Sequence, residues 1–210
     1  MDFIFDPSLV LYLPLYQLDG ASFMSRDKSG HLCTVTGALW TPDGRDFDGL
    51  DDKIAIPDAS SLKVNGDGTW EMWIYRTIYG TECLIDKGSG YYEYEIRIDT
   101  PNNGEIRFGA GNGTSERIDF TSAAIPLDNW VHIVFVRTAS PKQVKLYKNG
   151  SLVQTLSYTK TISQWTDPVY IGSRTGGSEF LDGIVGEVRI YSRALTSQEV
   201  QNNYLSLIHI

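Results

Sequence analysis

Apolar and polar residues alternate every second position through most of this chain, the spacing of strands that turn one face to a core. Leu9-Val10-Leu11-Tyr12-Leu13 opens as an apolar strand, and Pro14, with no amide hydrogen for a ladder, confines it to an edge or a strand end. Asp27-Lys28-Ser29-Gly30 is turn chemistry, and a short strand is expected from Leu32 to Thr36. Ile54 and Ile56 then alternate with Lys53 and Ala55. From Thr69 to Tyr75 both faces carry aromatics: Trp70, Met72 and Ile74 on one, Thr69, Glu71, Trp73 and Tyr75 on the other. Aromatics on both faces predict a central strand.

The same period continues through Cys83-Leu84-Ile85, Tyr92 to Ile98 and Ile106-Arg107-Phe108, punctuated by Gly88-Ser89-Gly90 and Asn102-Asn103-Gly104. Trp130 to Val136 is the most apolar strand, and its expected core residues include Val134 and Val136. Asn149-Gly150 between Val144-Lys145-Leu146-Tyr147 and Leu152-Val153 is the strongest short hairpin signal. Val169-Tyr170-Ile171 adds a short strand, and Ile184 to Tyr191 a long one with Ile184, Val188 and Ile190 inward. One helix is expected, from Thr196: Thr196 and Glu199 fit a capping box, and Val200, Tyr204 and Leu207 recur at helical spacing. The pattern predicts one all-β domain over residues 1–210.

Composition agrees with many short strands joined by tight turns, with 20 Gly, 8 Phe, 12 Tyr and 5 Trp among 210 residues. The net charge of −8 and scattered Lys and Arg argue against a nucleic-acid partner, which would call for a basic stripe. No apolar run approaches the roughly 20 residues of a membrane span. The start, Met1-Asp2-Phe3-Ile4-Phe5-Asp6, lacks the form of a signal peptide, so the chain is expected to be a fragment or to leave its cell by another route.

The sharpest candidate chemistry is Phe47 to Pro57, where an acidic turn hinged at Gly49 runs into a strand. Glycine's freedom of φ lets Asp48, Asp51 and Asp52 gather around one point, as a hard cation requires; the alternative is a solvated acidic turn. Cys33 and Cys83 have no C-x-x-C partner and read as buried thiols, with a disulfide left open. His31, His132 and His209 form no pair at metal spacing. Asn112-Gly113-Thr114 and Asn149-Gly150-Ser151 fit the glycosylation pattern.

Four segments in this order resemble the concanavalin A-like superfamily, and within it the laminin G-like and pentraxin-like jelly-roll domains. They are Leu9 to Leu15, Phe47-Asp48-Gly49-Leu50-Asp51-Asp52-Lys53-Ile54, Trp130 to Val134 with Tyr147-Lys148-Asn149-Gly150, and Leu181-Asp182-Gly183-Ile184-Val185-Gly186-Glu187-Val188-Arg189-Ile190-Tyr191 through Leu195. The resemblance implies a two-sheet antiparallel jelly-roll sandwich with one short C-terminal helix, binding glycans or proteins, often with calcium at one rim. It implies calcium at Asp51 and Asp52, yet Gly186 stands where the family usually has Asp, so the site is weakened, rebuilt around Glu187, or absent.

The β-glucanases of that superfamily present paired carboxylates from one strand face, about 5 Å apart for retention. Glu71 stands alone on its strand, and Glu93 with Glu95 reads as an exposed face, so hydrolysis is the least favoured function. Aromatics outside the expected core, Tyr79, Tyr91, Tyr158 and Trp165, are candidates for stacking on sugars. A sugar site belongs in rim loops such as Thr175-Gly176-Gly177-Ser178 and Tyr79-Gly80-Thr81. The function expected is a non-catalytic glycan-recognition module, extracellular or surface-displayed, with calcium as its expected cofactor. The alternative is a structural or protein-adhesion domain of a cell-surface or virion assembly.

Overall fold

The computed structural model describes residues 6–88, 93–99, 104–112, 114–120 and 124–206. Its strands are β1 (Leu9–Pro14), β2 (Ser22–Met24), β3 (Leu32–Thr36), β4 (Leu39–Thr41), β5 (Gly44–Asp48), β6 (Lys53–Ile56), β7 (Gly68–Arg76) and β8 (Glu82–Lys87). They continue with β9 (Tyr94–Asp99), β10 (Glu105–Gly111), β11 (Ser115–Phe120), β12 (Trp130–Ala139), β13 (Lys142–Lys148), β14 (Ser151–Ser157), β15 (Val169–Ile171) and β16 (Asp182–Tyr191), and helix α1 (Ser197–Ser206) follows. One eight-stranded sheet runs β14-β13-β12-β7-β16-β5-β4 with β1 also on β16; the other runs β11-β10-β9-β8-β15-β6-β3-β2. Each ladder is antiparallel. The chain is thus the two-sheet jelly-roll sandwich expected, with one short C-terminal helix.

The strand with aromatics on both faces, β7, lies between β12 and β16. Its Trp70, Met72 and Ile74 enter the core between the sheets. Trp70 packs 5.1 Å from Tyr94 and 5.0 Å from Phe108, ring centre to ring centre, joining the sheets through aromatic contact. Pro14 ends β1, where a missing amide costs the ladder nothing.

Two expectations about facing change. In β16 the register to β7 shifts between Val185 and Glu187, so Val185 is fully buried and Ile184 only half-buried. A bulge at Gly186 adds one residue and exchanges the faces on either side of it. In β12, Val134 and Val136 are buried, but not between the sheets. They join Leu9, Tyr147, Tyr191, Leu195 and Val200 in a second cluster on the other face of the sheet, which α1 covers.

The capping box forms as expected: the Thr196 amide donates to Glu199 Oε2 at 2.7 Å, and the Glu199 amide to Thr196 Oγ1 at 3.3 Å. Val200 is buried beneath the helix, and Tyr204 stacks on Trp73 at 5.6 Å; Leu207 and His209 lie outside the described residues. Asn149 and Gly150 turn the β13–β14 hairpin at φ of 50° and 74°, the positive angles of a tight two-residue turn. Cys33 and Cys83 are both buried free thiols.

Candidate functional site

The acidic turn sits where β5 ends and β6 begins. Gly49 takes φ of 76°, which folds the chain back so that Asp48 Oδ1 accepts the Leu50 amide at 2.9 Å and Asp52 Oδ2 accepts the Asp48 amide at 2.9 Å. Asp48, Asp51 and Asp52 thereby bring one carboxylate oxygen each within 4.8 Å of one another. Asp52 is buried and the other two are exposed. Burial pushes the Asp52 carboxyl up; the bond from the Asp48 amide opposes this, and Asp48, Asp51 and Asp46 add to it. Carboxylates gathered at this spacing repel one another, and an all-oxygen donor set suits a hard cation such as calcium.

Glu187 does not belong to this group. The β5–β16 ladder sets Asp182 opposite Asp48 and Val185 opposite Arg45, which places Gly186 and Glu187 at the far end of β5, roughly 13 to 17 Å along the strand. The missing carboxylate at Gly186 is therefore no loss to the acidic turn. An added Cβ there would already come 3.1 Å from the Asp43 carbonyl and 3.2 Å from the Trp130 ring.

Glu187 instead pairs with Arg189 on the sheet face under α1, in a network centred on Glu71. Glu71 Oε1 accepts from His132 Nε2 at 2.9 Å and from Arg189 Nη1 at 3.3 Å, while Oε2 accepts from Asn203 Nδ2 of α1 at 2.8 Å. Two carboxylates share one guanidinium here. Burial works against the Glu71 charge, but Arg189 and His132 outweigh it and hold the carboxyl low. Burial dominates at Glu187, which is pushed up to about 8 despite Arg189. Glu71 is thus the ionised member, buried and bonded through both oxygens, which is the opposite of a nucleophile open to substrate.

Glu93 and Glu95 also diverge. Glu93 precedes β9 and accepts the Trp165 amide at 3.1 Å, whereas Glu95 turns toward Arg97 and Arg174 on the outer face of the second sheet. Glu71 has no second carboxylate beside it on its own strand, where Thr69 and Trp73 are its neighbours, and Glu93 and Glu95 are both buried where an exposed face was expected.

The glycine-rich loop after β15 behaves differently. Arg174 accepts the Gly177 amide at 3.1 Å, closing a tight turn with Thr175 at φ of 50° and Gly176 at 71°. A β-branched residue in the left-handed region is strained and persists only where its surroundings hold it. Here the Thr175 amide donates to Asp86 Oδ2 at 2.7 Å, Lys53 Nζ to the Gly176 carbonyl at 2.6 Å, and the Gly176 backbone lies against the Tyr170 ring, 2.6 Å from where a Cβ would stand. The loop is folded back over the outer face of the second sheet. Between it and the sheet opens a cavity of about 80 Å³ lined by Asp86, Gly88, Asp167, Pro168, Tyr170 and Thr175.

Of the residues expected to bind a ligand, Thr175 lines this cavity. Tyr79 is exposed on the turn between β7 and β8, and Trp165 is half-buried. Tyr91 lies outside the described residues. Tyr158 is buried and donates to the Thr138 carbonyl at 3.1 Å, which makes it a packing residue. Asp86, Asp167 and Tyr170 were not anticipated. Nothing in the local sequence marks them: Asp86 lies in a strand whose every residue is buried, which only the fold reveals.

A family model described as Laminin_G_3 of the concanavalin A-like lectin/glucanases superfamily matches residues 47–201. Comparison with curated proteins finds no match. Among solved structures, the binding domain of botulinum neurotoxin DC in complex with SialylT is similar at TM-score 0.73 and 15% identity, over 96% of this chain and 52% of that one. The same toxin domain in complex with rat synaptotagmin II gives 0.70 and 14%, over 96% and 52%. A Trypanosoma rangeli sialidase in complex with 2,3-difluorosialic acid gives 0.70 and 19%, over 97% and 33%. The chain thus spans about half the length of the toxin domains and a third of the sialidase.

Proposed function

The chain belongs to the concanavalin A-like lectin/glucanase superfamily, and on that premise we propose that it is a non-catalytic carbohydrate-recognition module. The observation that carries this reading is the cavity under the Thr175 loop, a concave polar site beside a tyrosine ring and bordered by the positive-φ backbone of Thr175. Against hydrolysis stands the commitment of Glu71 to His132, Arg189 and Asn203 beneath α1. Calcium at Asp48, Asp51 and Asp52 would brace the rim from which this loop springs, since Lys53 ties the end of the acidic turn to Gly176. Such a module works outside the cell or on a surface assembly.

A protein ligand is the second reading, favoured by the same fold's occurrence in a complex with synaptotagmin II. A glycan array probed with the chain, with and without calcium, tests the first. Saturable and selective glycan binding is the expected result. Absence of any glycan binding in both conditions would remove the carbohydrate reading and leave the protein one.

A further inference from the structure

The cavity under the Thr175 loop has a chemical bias. Asp86 is 1% exposed, and its Oδ2 is taken by the Thr175 amide, while its Oδ1 has no hydrogen-bond partner among the described residues. A buried carboxylate oxygen left unmatched is costly, and a ligand that donates a hydrogen bond removes the cost. Asp167 adds a second carboxylate to the lining, which holds no lysine or arginine. The wall therefore offers acceptors and negative charge.

Resting on the carbohydrate reading above, we propose that this cavity takes the hydroxyl pair or hydroxymethyl group of an uncharged sugar, and that it rejects acidic sugars. A sugar hydroxyl can donate to Asp86 Oδ1 and a neighbouring one to the Asp167 carboxylate, with Tyr170 bordering the ring. A carboxylate-bearing sugar would set like charge against Asp167, and against Asp86 once that group ionises above about pH 7, in a confined, partly dehydrated space where repulsion is least screened. At about 80 Å³ the cavity admits the edge of one sugar and not a whole disaccharide, so the contact is with a chain end or a protruding edge. This sets the chain apart from the toxin domain found with SialylT and the sialidase found with a sialic acid derivative.

The test is saturation-transfer NMR and titration of the whole chain, at a pH above about 7 where Asp86 is ionised, with methyl glycosides of neutral hexoses and, separately, with N-acetylneuraminic acid and sialyllactose. Binding of one or more neutral glycosides is expected, with no acidic sugar bound. Asp86→Asn should weaken neutral binding about tenfold or more, the loss of a charge-assisted hydrogen bond; Asp167→Ala, at a less buried position, supplies the same readout if the first variant does not fold. Acidic sugars binding as well as or better than neutral ones, or neutral binding indifferent to both substitutions, would overturn the inference and leave the carbohydrate reading intact. No binding of either class, on the array or by NMR, overturns both.

Discussion

The Asp52 carboxylate rests directly on the backbone of Gly37, so closely that a Cβ at Gly37 would stand 1.5 Å from Asp52 Oδ1. Gly37 also takes φ of 73°. Any side chain there meets backbone strain and a displaced carboxylate together. Gly37→Ala is expected to cost about 1–3 kcal/mol in denaturant unfolding and to move Asp52 away from Asp48. An unchanged midpoint would mean that Asp52 shifts freely, and that the acidic turn is not a preformed site.

Calcium should stabilise the chain if the acidic turn holds it. Binding to the native state alone adds about 2.7 kcal/mol when calcium stands at 100 times Kd, which raises Tm by several degrees for a domain of this size. Asp51→Asn should remove most of that response while leaving the Asp52 to Asp48 bond in place. Glu187→Gln should leave it untouched, because Glu187 is paired with Arg189 well away from the turn. Identical melting curves in chelator and in calcium at around the millimolar level would identify the turn as a solvated loop.

Glu71 joins β7, β12, β16 and α1 through one carboxylate. Glu71→Ala leaves Arg189 with one carboxylate fewer and His132 and Asn203 without that acceptor, a loss expected to cost about 3–5 kcal/mol. Urea unfolding measures it directly. A loss under about 1 kcal/mol would show that the helix is held by apolar contact with Val134, Tyr191 and Leu195 alone.

Stability should decline from mildly acidic to mildly alkaline pH. Burial pushes Asp86 up to about 7; the Thr175 amide and Arg174 oppose this, and Glu95 and Asp167 add to it. Burial pushes Glu187 up to about 8, opposed by Arg189 and reinforced by Glu71. Each keeps a proton when folded that it loses unfolded above about pH 4, so their contribution is full below that pH and is lost as pH rises through about 7 and 8. Glu199, held down to about 2 by Arg193, contributes in the opposite sense, but its effect is complete above about pH 4. Tm is expected to fall between about pH 4 and about pH 8 and to level off above that, and Asp86→Asn combined with Glu187→Gln to flatten the fall. A decline that persists in the double variant assigns it to other groups.

Features decided within a few residues were legible in the sequence. The alternation of Trp70, Met72 and Ile74, the Asn149-Gly150 turn and the Thr196–Glu199 cap each depend on φ, ψ and side-chain reach over one to four positions, so the local pattern suffices. The gathering of Asp48, Asp51 and Asp52 around Gly49 belongs to the same class. The bulge at Gly186 does not: which of Ile184 and Val185 faces inward depends on register against β7, and one added residue reverses it. Nor could alternation tell the space between the sheets from the space under α1, because Val134 and Phe135 are equally apolar and both faces of β12 are covered. The candidate pocket lies furthest from the local pattern. Asp86 meets the Thr175 amide across 89 residues and Glu71 meets Asn203 across 132, contacts that exist only once both sheets have closed. In each case a carboxylate that the sequence presents as an ordinary strand residue acquires its character from what the fold buries beside it.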